Sequence, residues 1–594
     1  MTAWRRRVAV AALVVLSILA AAWVSDLHLE RLLDGRGVAT AWRVLAGFAS
    51  PDLSPDFVAR VARLSLESLF IGLLGTALAA LIGTSLALAS VRVPPLPDPP
   101  GRTVALRLAG EGIRFCVRFV LGVGRSIPDI VWAFLFVRLL GLGPGPAVLA
   151  IAVSTGGIIG KLFAELAEAV DPGPVHALRR AGAGRLAVLV HGVLPQVRRQ
   201  FVAYGLYRLE CSIRSASILG VVGAGGLGSE IALSVRYLQY DKLATALLAV
   251  LAFVIALEAA SAFLRRRRIR WTLSAVGLGS LAAVLYLDIP WAQLWRSSAP
   301  PVALAMGGMR EVTDVAGRAL SLLGQTVAMA WCATAAAAAV AFLLAPLASR
   351  EVAVRSFLVD PPRPGGVAGA SRRLAFVAVR TGFQLCRAMP ELTLALLFVL
   401  WVGPGATAGV LAIAVHTAGA LGRLYGDIYE EVERGPVAAL EASGASRTAV
   451  WLHGVLPQVS ARIVAFTLYR FEVNVRATAI VGFVGAGGIG DAINTAISLF
   501  HLADLVVLLS VMLLAVTALD WAGDRARHHI LMGRFGVRPD RRVRRRPTRL
   551  SGYRVNPLER RNGDDHAQEQ IHADGRGGPR KRNALVRLLG AGED

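Results

Sequence analysis

Glu210 and Arg214 stand four residues apart, and so do Glu472 and Arg476, the spacing that places two side chains on one helix face. Both pairs sit in apolar stretches, where a charge is expensive and usually turns to a bundle interior or a water-filled path. Two readings stay open. The pairs are self-neutralised structural links, or Arg214 and Arg476 offer planar donor forks to the oxygens of a passing anion. Arg208 and Arg470, two positions before each glutamate, read as anchors of a helix interface. The string Gly223-Ala224-Gly225-Gly226-Leu227-Gly228 spells GxGxxG, but a dinucleotide fingerprint must follow a strand and open a helix in a βαβ unit. An apolar helical stretch precedes it here, so nucleotide-dependent redox chemistry is rejected. Gly223, Gly225 and Gly226, with Gly485, Gly487 and Gly488 in a second such string, read as a packing turn or kink whose backbone N–H groups could also meet an anion. His191 and His453 read as polar surface contacts rather than metal ligands. Cys116, Cys211, Cys332 and Cys386 show no paired spacing, so neither a metal centre nor a disulfide framework is expected. No GxxxxGK[ST] string occurs, so the chain does not hydrolyse ATP by itself, and no cofactor is called for.

The elements that carry these residues must cross a membrane. Of 594 residues 55% are apolar and only 18% charged, and the mean hydropathy is +0.57. That excludes a set of soluble domains, whose surfaces need about 25% charge, and it excludes disorder over most of the length. The lipid bilayer is therefore a partner. The formal charge of +24 is almost all arginine, the lysines being Lys161, Lys242 and Lys581. It lies in short loops between apolar runs rather than on one polar domain, so no nucleic-acid partner is expected.

Apolar runs near 8–24, 66–90, 128–142, 145–164, 200–221 and 241–264, then 271–288, 320–347, 390–402, 405–422, 462–483 and 502–521, predict an all-α polytopic protein of about twelve spans. At 115–142 and 374–402 one long or two short helices fit equally. Arg5–Arg7 and the arginines of loops 91–127 and 350–387 put both termini and these loops in the cytoplasm. Residues 121–264 recur at 383–526 with a constant offset, as HGVLPQV at 191–197 and 453–459 illustrates. Six spans separate the copies, so they are parallel repeats: 1–268 and 269–525, followed by a basic, disordered tail over 526–594.

The strongest repeated element is cytoplasmic, HALRRAGAGRLAVLVHGVLPQV at 176–197 and AALEASGASRTAVWLHGVLPQV at 438–459. A short helix is expected to end at Gly182 or Gly444, ahead of Ala183 or Ala445. A second short helix is expected to stop at Leu194-Pro195 or Leu456-Pro457. A bland reentrant corner and a docking surface for a cytoplasmic partner both fit.

The spacing from Gly182 to Pro195, and from Gly444 to Pro457, resembles the EAA loop of ABC importer permeases. The match is incomplete: the leading Glu is His176 and Ala438, and the Ile is Gly192 and Gly454. YRFEVNVRATAIVGFVGAGGIG at 469–490, YRLECSIRSASILGVVGAGGLG at 207–228, and the strings RSIPDIVWAFLFV and RAMPELTLALLFV are similar to the phosphonate permease subunit. Cys211-Ser212 replace the Val473-Asn474 of the second copy. The resemblance implies two such subunits fused in one chain, with the type I ABC importer permease fold. It implies two cytoplasmic ATP-binding subunits docked on the two loops, an extracytoplasmic substrate-binding protein, and residence in the bacterial inner membrane. It further implies an anionic substrate, phosphonate or a related phosphorus oxyanion (phosphate, phosphite). Glu210, Arg214, Glu472, Asn474, Arg476 and the two glycine turns would then line the pathway or its gate. Arg125 and Arg387 begin those strings, and Pro128-Asp129 and Pro390-Glu391 read as helix starts. A secondary transporter with two six-helix halves is the rival. It would favour acids deep in the spans, few of which stand out beyond Glu210 and Glu472, and it predicts no duplicated loops.

Overall fold

The computed structural model describes residues 2–91, 104–265, 269–289, 312–353, 367–499 and 501–534. Among them every regular element is helical. In a bilayer the backbone finds no water, and a helix satisfies each N–H and C=O within its own segment. Eight helices are long and apolar enough to cross, or up to eleven if each of three bent pairs is one span, against about twelve expected. The apolar helix Ala12–Val24 is shorter.

Each repeat lays out the same route between a glycine-turn end and a loop end. Pro55–Ser90 starts near the turn, where Leu227 N–H donates to Ser68 Oγ at 2.9 Å. It finishes near the loop, where Arg185 donates to the carbonyl of Ala89 at 2.7 Å. Val104–Ser126 and Asp129–Leu140 then meet at 92°, as do Val367–Ala388 and Glu391–Val402. The bends fall at Pro128 and Pro390, which cannot donate into a preceding helix and push the residue before them out of it. The two expectations left open at 115–142 and 374–402 are thus decided for two helices each.

Pro144–Glu168 and Ala406–Glu430 are the most enclosed crossings. Gly157 and Gly419, near their middles, admit the neighbouring bent helix so closely that a Cβ there would stand 2.6 Å from the backbone nitrogens of Arg125 and Arg387 respectively. Leu194–Leu219 and Leu456–Val481 return from loop to turn. Tyr240–Arg265 and Leu502–Arg534 run back to the loop end. The last helix passes residue 526, where a disordered tail was expected to begin. Arg527 is paired with Glu472 and, at 2.6 Å, with Asp524, which holds the added turns; residues 535–594 lie outside the described ones.

The outer helices are exchanged between the repeats. Thr2–Val24 belongs to the first repeat yet packs on Val312–Ala348 of the second, with Ala21 buried among Ala328, Met329 and Cys332 and Trp331 Nε1 donating to Ser17 Oγ at 3.2 Å. Ile269–Leu287 packs on Pro55–Ser90 of the first, where Tyr286 and Phe70 have ring centroids 4.9 Å apart. Gly35–Ala49 bridges both: Gly47 lies against the Tyr240 carbonyl and Gly37 against that of Trp401.

Candidate functional site

The loop end is built twice on one plan. Pro172–Arg180 and Arg434–Ala442 are nine-residue helices. Each ends on the expected glycine with positive φ, +81° at Gly182 and +75° at Gly444. Ala183 N–H reaches back to the Leu178 carbonyl at 3.0 Å and Ala445 N–H to that of Leu440 at 3.1 Å, closing the helix ends.

Leu194-Pro195 and Leu456-Pro457 do not stop the second short helix, contrary to expectation. The chain stays helical through them into the long crossings. A proline ring clashes with the carbonyl four residues back in an α-helix, and here Val188–Val193 and Val450–Val455 widen into π-helical turns just before the proline, which removes the clash. Gln196, in the next position, donates to the Gly192 carbonyl at 2.7 Å, and its oxygen accepts from Asp171 N–H at 3.1 Å. Gln458 makes the same two bonds, to Gly454 at 2.8 Å and from Glu433 at 3.0 Å. These clamps tie the proline corner to the start of each nine-residue helix. Neither glutamine is among the residues expected above, although both sit inside the identical HGVLPQV strings.

Gly192 and Gly454 stand where the EAA pattern has Ile. A Cβ there would lie 3.0 Å from Leu178 Cδ1 or 3.1 Å from Leu440 Cδ1, so the small residue lets the two helices of the corner close. His191 and His453 are exposed, as surface contacts. The two loops differ in charge. Exposed Arg180 and the Arg198-Arg199 pair correspond to Ala442 and Ser460-Ala461, and Arg179 corresponds to exposed Glu441.

At the other end, Gly223, Gly225 and Gly226 have φ of +86°, +77° and +79°, and Gly485, Gly487 and Gly488 have +84°, +79° and +73°. Gly143 N–H donates to the Gly223 carbonyl at 3.2 Å, and Gly405 N–H to that of Gly485 at 2.8 Å, so each turn is joined to the start of an enclosed crossing. The amides of Gly223 and Ala224 bond within the turn, that of Leu227 goes to Ser68, and the Glu67 carboxylate lies against Gly225. A packing turn is what these contacts make.

The two Glu–Arg pairs are not alike. Arg214 lies 3.4 Å from Glu210, four residues back, as spaced in the sequence, and 3.7 Å from Glu258. Glu472 and Arg476 are not joined: Glu472 takes Arg527 and Arg476 lies 3.8 Å from Asp520. Gly523 permits this arrangement, because a Cβ there would overlap the Glu472 carboxylate. Asn474 is buried, accepting from Thr417 at 2.9 Å and donating to Thr334 at 2.8 Å. Arg208 faces Asp129 electrostatically, and buried Arg470 faces Glu391, whose carboxylate is 3.1 Å from His416 Nε2. Acids within the crossings are therefore more numerous than the sequence reading found: Glu258, Asp520 and Glu391 join Glu210 and Glu472. Their signal was the repeat itself, since Glu258 and Asp520 keep an acid at equivalent positions.

Two segments, residues 101–270 and 364–530, match the family described as binding-protein-dependent transport system inner membrane component, and together they make up more than half of the chain. The chain belongs to that family. The phosphate-import permease protein PhnE of Mycolicibacterium smegmatis is 34% identical over 484 residues, 79% of this chain and 85% of that one. The phosphite transport system permease protein PtxC of Stutzerimonas stutzeri is 37% identical over 267 residues, 44% of this chain and 90% of that one. No solved structure matches. The protein is thus the membrane permease of an ABC importer, an inner-membrane component that works with ATP-binding and substrate-binding partners and has no ATPase site of its own. The secondary-transporter alternative falls with this assignment. The permease carries its family's domain in duplicate, and the helices just described fit the type I ABC permease fold.

Proposed function

We propose that the permease imports a phosphorus oxyanion, phosphate, phosphite or phosphonate, and that two ATP-binding subunits dock one on each loop. The single observation that carries the docking is the duplicated corner: two helices of nine residues, each closed by a positive-φ glycine and clamped by a glutamine onto the base of a long crossing. A rigid corner of this kind transmits displacement of the docking helix into the crossing. The substrate class follows from relatives that carry phosphate and phosphite in their names, and from arginines suited to such oxygens. Arginine placement sets the loop end and both termini in the cytoplasm and the glycine turns outside, where the binding protein delivers substrate. We read the chain as two halves, 1–268 and from 269 to the end of the helix Leu502–Arg534, followed by a tail, with the outer helix of each half seated on the other. The glycine turns and the central Glu–Arg residues are our candidates for the gate and pathway.

The test is ATP hydrolysis by the whole complex in lipid, with loaded binding protein and with phosphate, phosphite or a phosphonate as ligand. Gly182→Asp with Gly444→Asp is expected to abolish the stimulation, and the anion that stimulates most names the substrate. Stimulation that survives the double variant overturns the docking reading, and none by any phosphorus oxyanion overturns the substrate.

A further inference from the structure

Four arginines inside the crossings face acids at short range. Arg214 lies 3.4 Å from Glu210, Arg387 2.7 Å from Glu258, and Arg125 and Arg476 lie 2.6 Å and 3.8 Å from Asp520. Arg208 differs. Among the described residues it has neither a hydrogen bond nor an ion pair: its Nε is buried without a partner, and its Nη groups, equally without one, stay accessible. The groups that face it are Asp129 of its own half and Tyr469 of the other, with Tyr204 and Cys211 from its own helix, so the guanidinium is turned to the contact between the halves. One Asp129 oxygen accepts from Ile130 N–H at 3.1 Å. Arg470, in the equivalent place, is buried beside Glu391, and Tyr469 faces both arginines.

The helix Leu194–Leu219 sets the depth of Arg208. Phe201 and Tyr204, nearer the loop, belong to an apolar cluster confined to the first half, and the second half has a loop-end cluster of its own. Ala216 and Leu219, nearer the turn, belong to a cluster shared by both halves, where the rings of Phe134 and Phe483 have centroids 6.0 Å apart. The halves are thus packed on each other on the turn side of Arg208 and packed separately on its loop side.

We propose that Arg208 is the contact point of the phosphorus oxyanion midway through the membrane, a one-sided site that the first half supplies and that faces the loop end in this conformation. The proposal rests on the substrate reading above. It places the anion on Arg208 rather than on Arg214 or Arg476, whose guanidinium groups already face acids. A guanidinium inside a membrane protein is destabilising unless acceptors meet its donors. A phosphorus oxyanion presents paired oxygens that match the planar fork of the two Nη groups. Asp129, acting from farther away, offsets part of the attraction. A transport path needs that, because an anion held tightly does not leave. The twofold repeat does not double the site, since Arg470 is closed in where Arg208 is accessible.

The experiment uses the full complex in liposomes, with phosphate and phosphite as probes and uptake measured per ATP hydrolysed. Arg208→Gln removes the fork and is expected to lower that ratio more than about tenfold at the folded yield of the parent. If the unaltered complex takes up neither anion, the substrate reading fails and this site with it. If it takes them up and the folded Arg208→Gln complex matches it, the site is overturned while the importer stands. Where glutamine prevents folding, Arg208→Lys decides, because it keeps the charge and because the chain otherwise has only Lys161, Lys242 and Lys581. Acetic anhydride modifies the amine at position 208 in the nucleotide-free complex, and mass spectrometry of that peptide gives the rate. Phosphate is expected to slow the reaction more than about threefold relative to chloride at equal ionic strength. Equal rates in the two salts overturn the proposal.

Discussion

Asn474 spans a gap between two crossings and bonds both, accepting from Thr417 and donating to Thr334. Its counterpart Ser212 has a single partner, Thr155, at 3.3 Å. Removing the amide leaves two buried hydroxyls without it, so Asn474→Ala is expected to cost about 1–3 kcal/mol, and Ser212→Ala about 1 kcal/mol or less. Thermal unfolding of the detergent-solubilised protein checks this through the larger fall in midpoint for Asn474→Ala. Asn474 was marked by resemblance as a pathway residue, and Ser212 as the residue that replaces it in the first copy. Their types were plain in the sequence; their partners, contributed by chain 57 and 140 residues away, were not. Gly488 poses a sharper constraint, because φ is +73° and an added Cβ would sit 2.7 Å from Thr326 Oγ1. Gly488→Ala therefore costs at least about 1–2 kcal/mol of backbone strain, read as lost folded yield and a lowered midpoint.

The loop corner shows how far local rules reach at the scale of an element. Glycine C-caps and proline-started helices were legible because both follow from the residue's own backbone chemistry, and Gly182, Gly444, Pro128 and Pro390 sit where those rules put them. Leu-Pro as a helix stop was misread, because the local rule lacks the π-helical turn that admits the proline, and that turn is held by a side chain bonding 25 residues back. The corner's stiffness should be measurable. Gln196→Ala with Gln458→Ala, each removing contacts worth about 1 kcal/mol, is expected to lower uptake per ATP hydrolysed several-fold at unchanged folded yield. Equal coupling ratios in variant and parent would show that the clamp transmits nothing. The loops' unequal charge predicts a second difference: with the second loop disabled by Gly444→Asp, ATP-binding subunits held by the Arg-bearing first loop dissociate as salt rises. The complementary Gly182→Asp variant changes less with salt. Native mass spectrometry across salt concentrations compares the two.

Across the whole molecule, twofold repetition was legible from the sequence, since strings such as HGVLPQV and VGAGG survive at a fixed offset. The exchange of outer helices was not, because an apolar run carries no mark of which bundle it joins. Trp331, Cys332 and Ala328 accept the helix Thr2–Val24 mainly through shape, with a bond from Trp331 to Ser17 and a longer one from Cys332 Sγ to the Ile18 carbonyl. Deleting residues 2–24 is expected to speed hydrogen exchange in Val312–Ala348, on the opposite half, and to leave Pro55–Ser90 protected; the reverse pattern would contradict the exchange. The same feature bears on the order in which the chain is made. The helix Thr2–Val24 is made well before its seat, a helix that ends at Ala348, so it waits in the bilayer for more than 300 residues of synthesis, on the order of half a minute at bacterial elongation rates. During that interval its packing face meets only lipid or a membrane chaperone, and maturation of the permease is gated by the arrival of a partner encoded half a gene downstream.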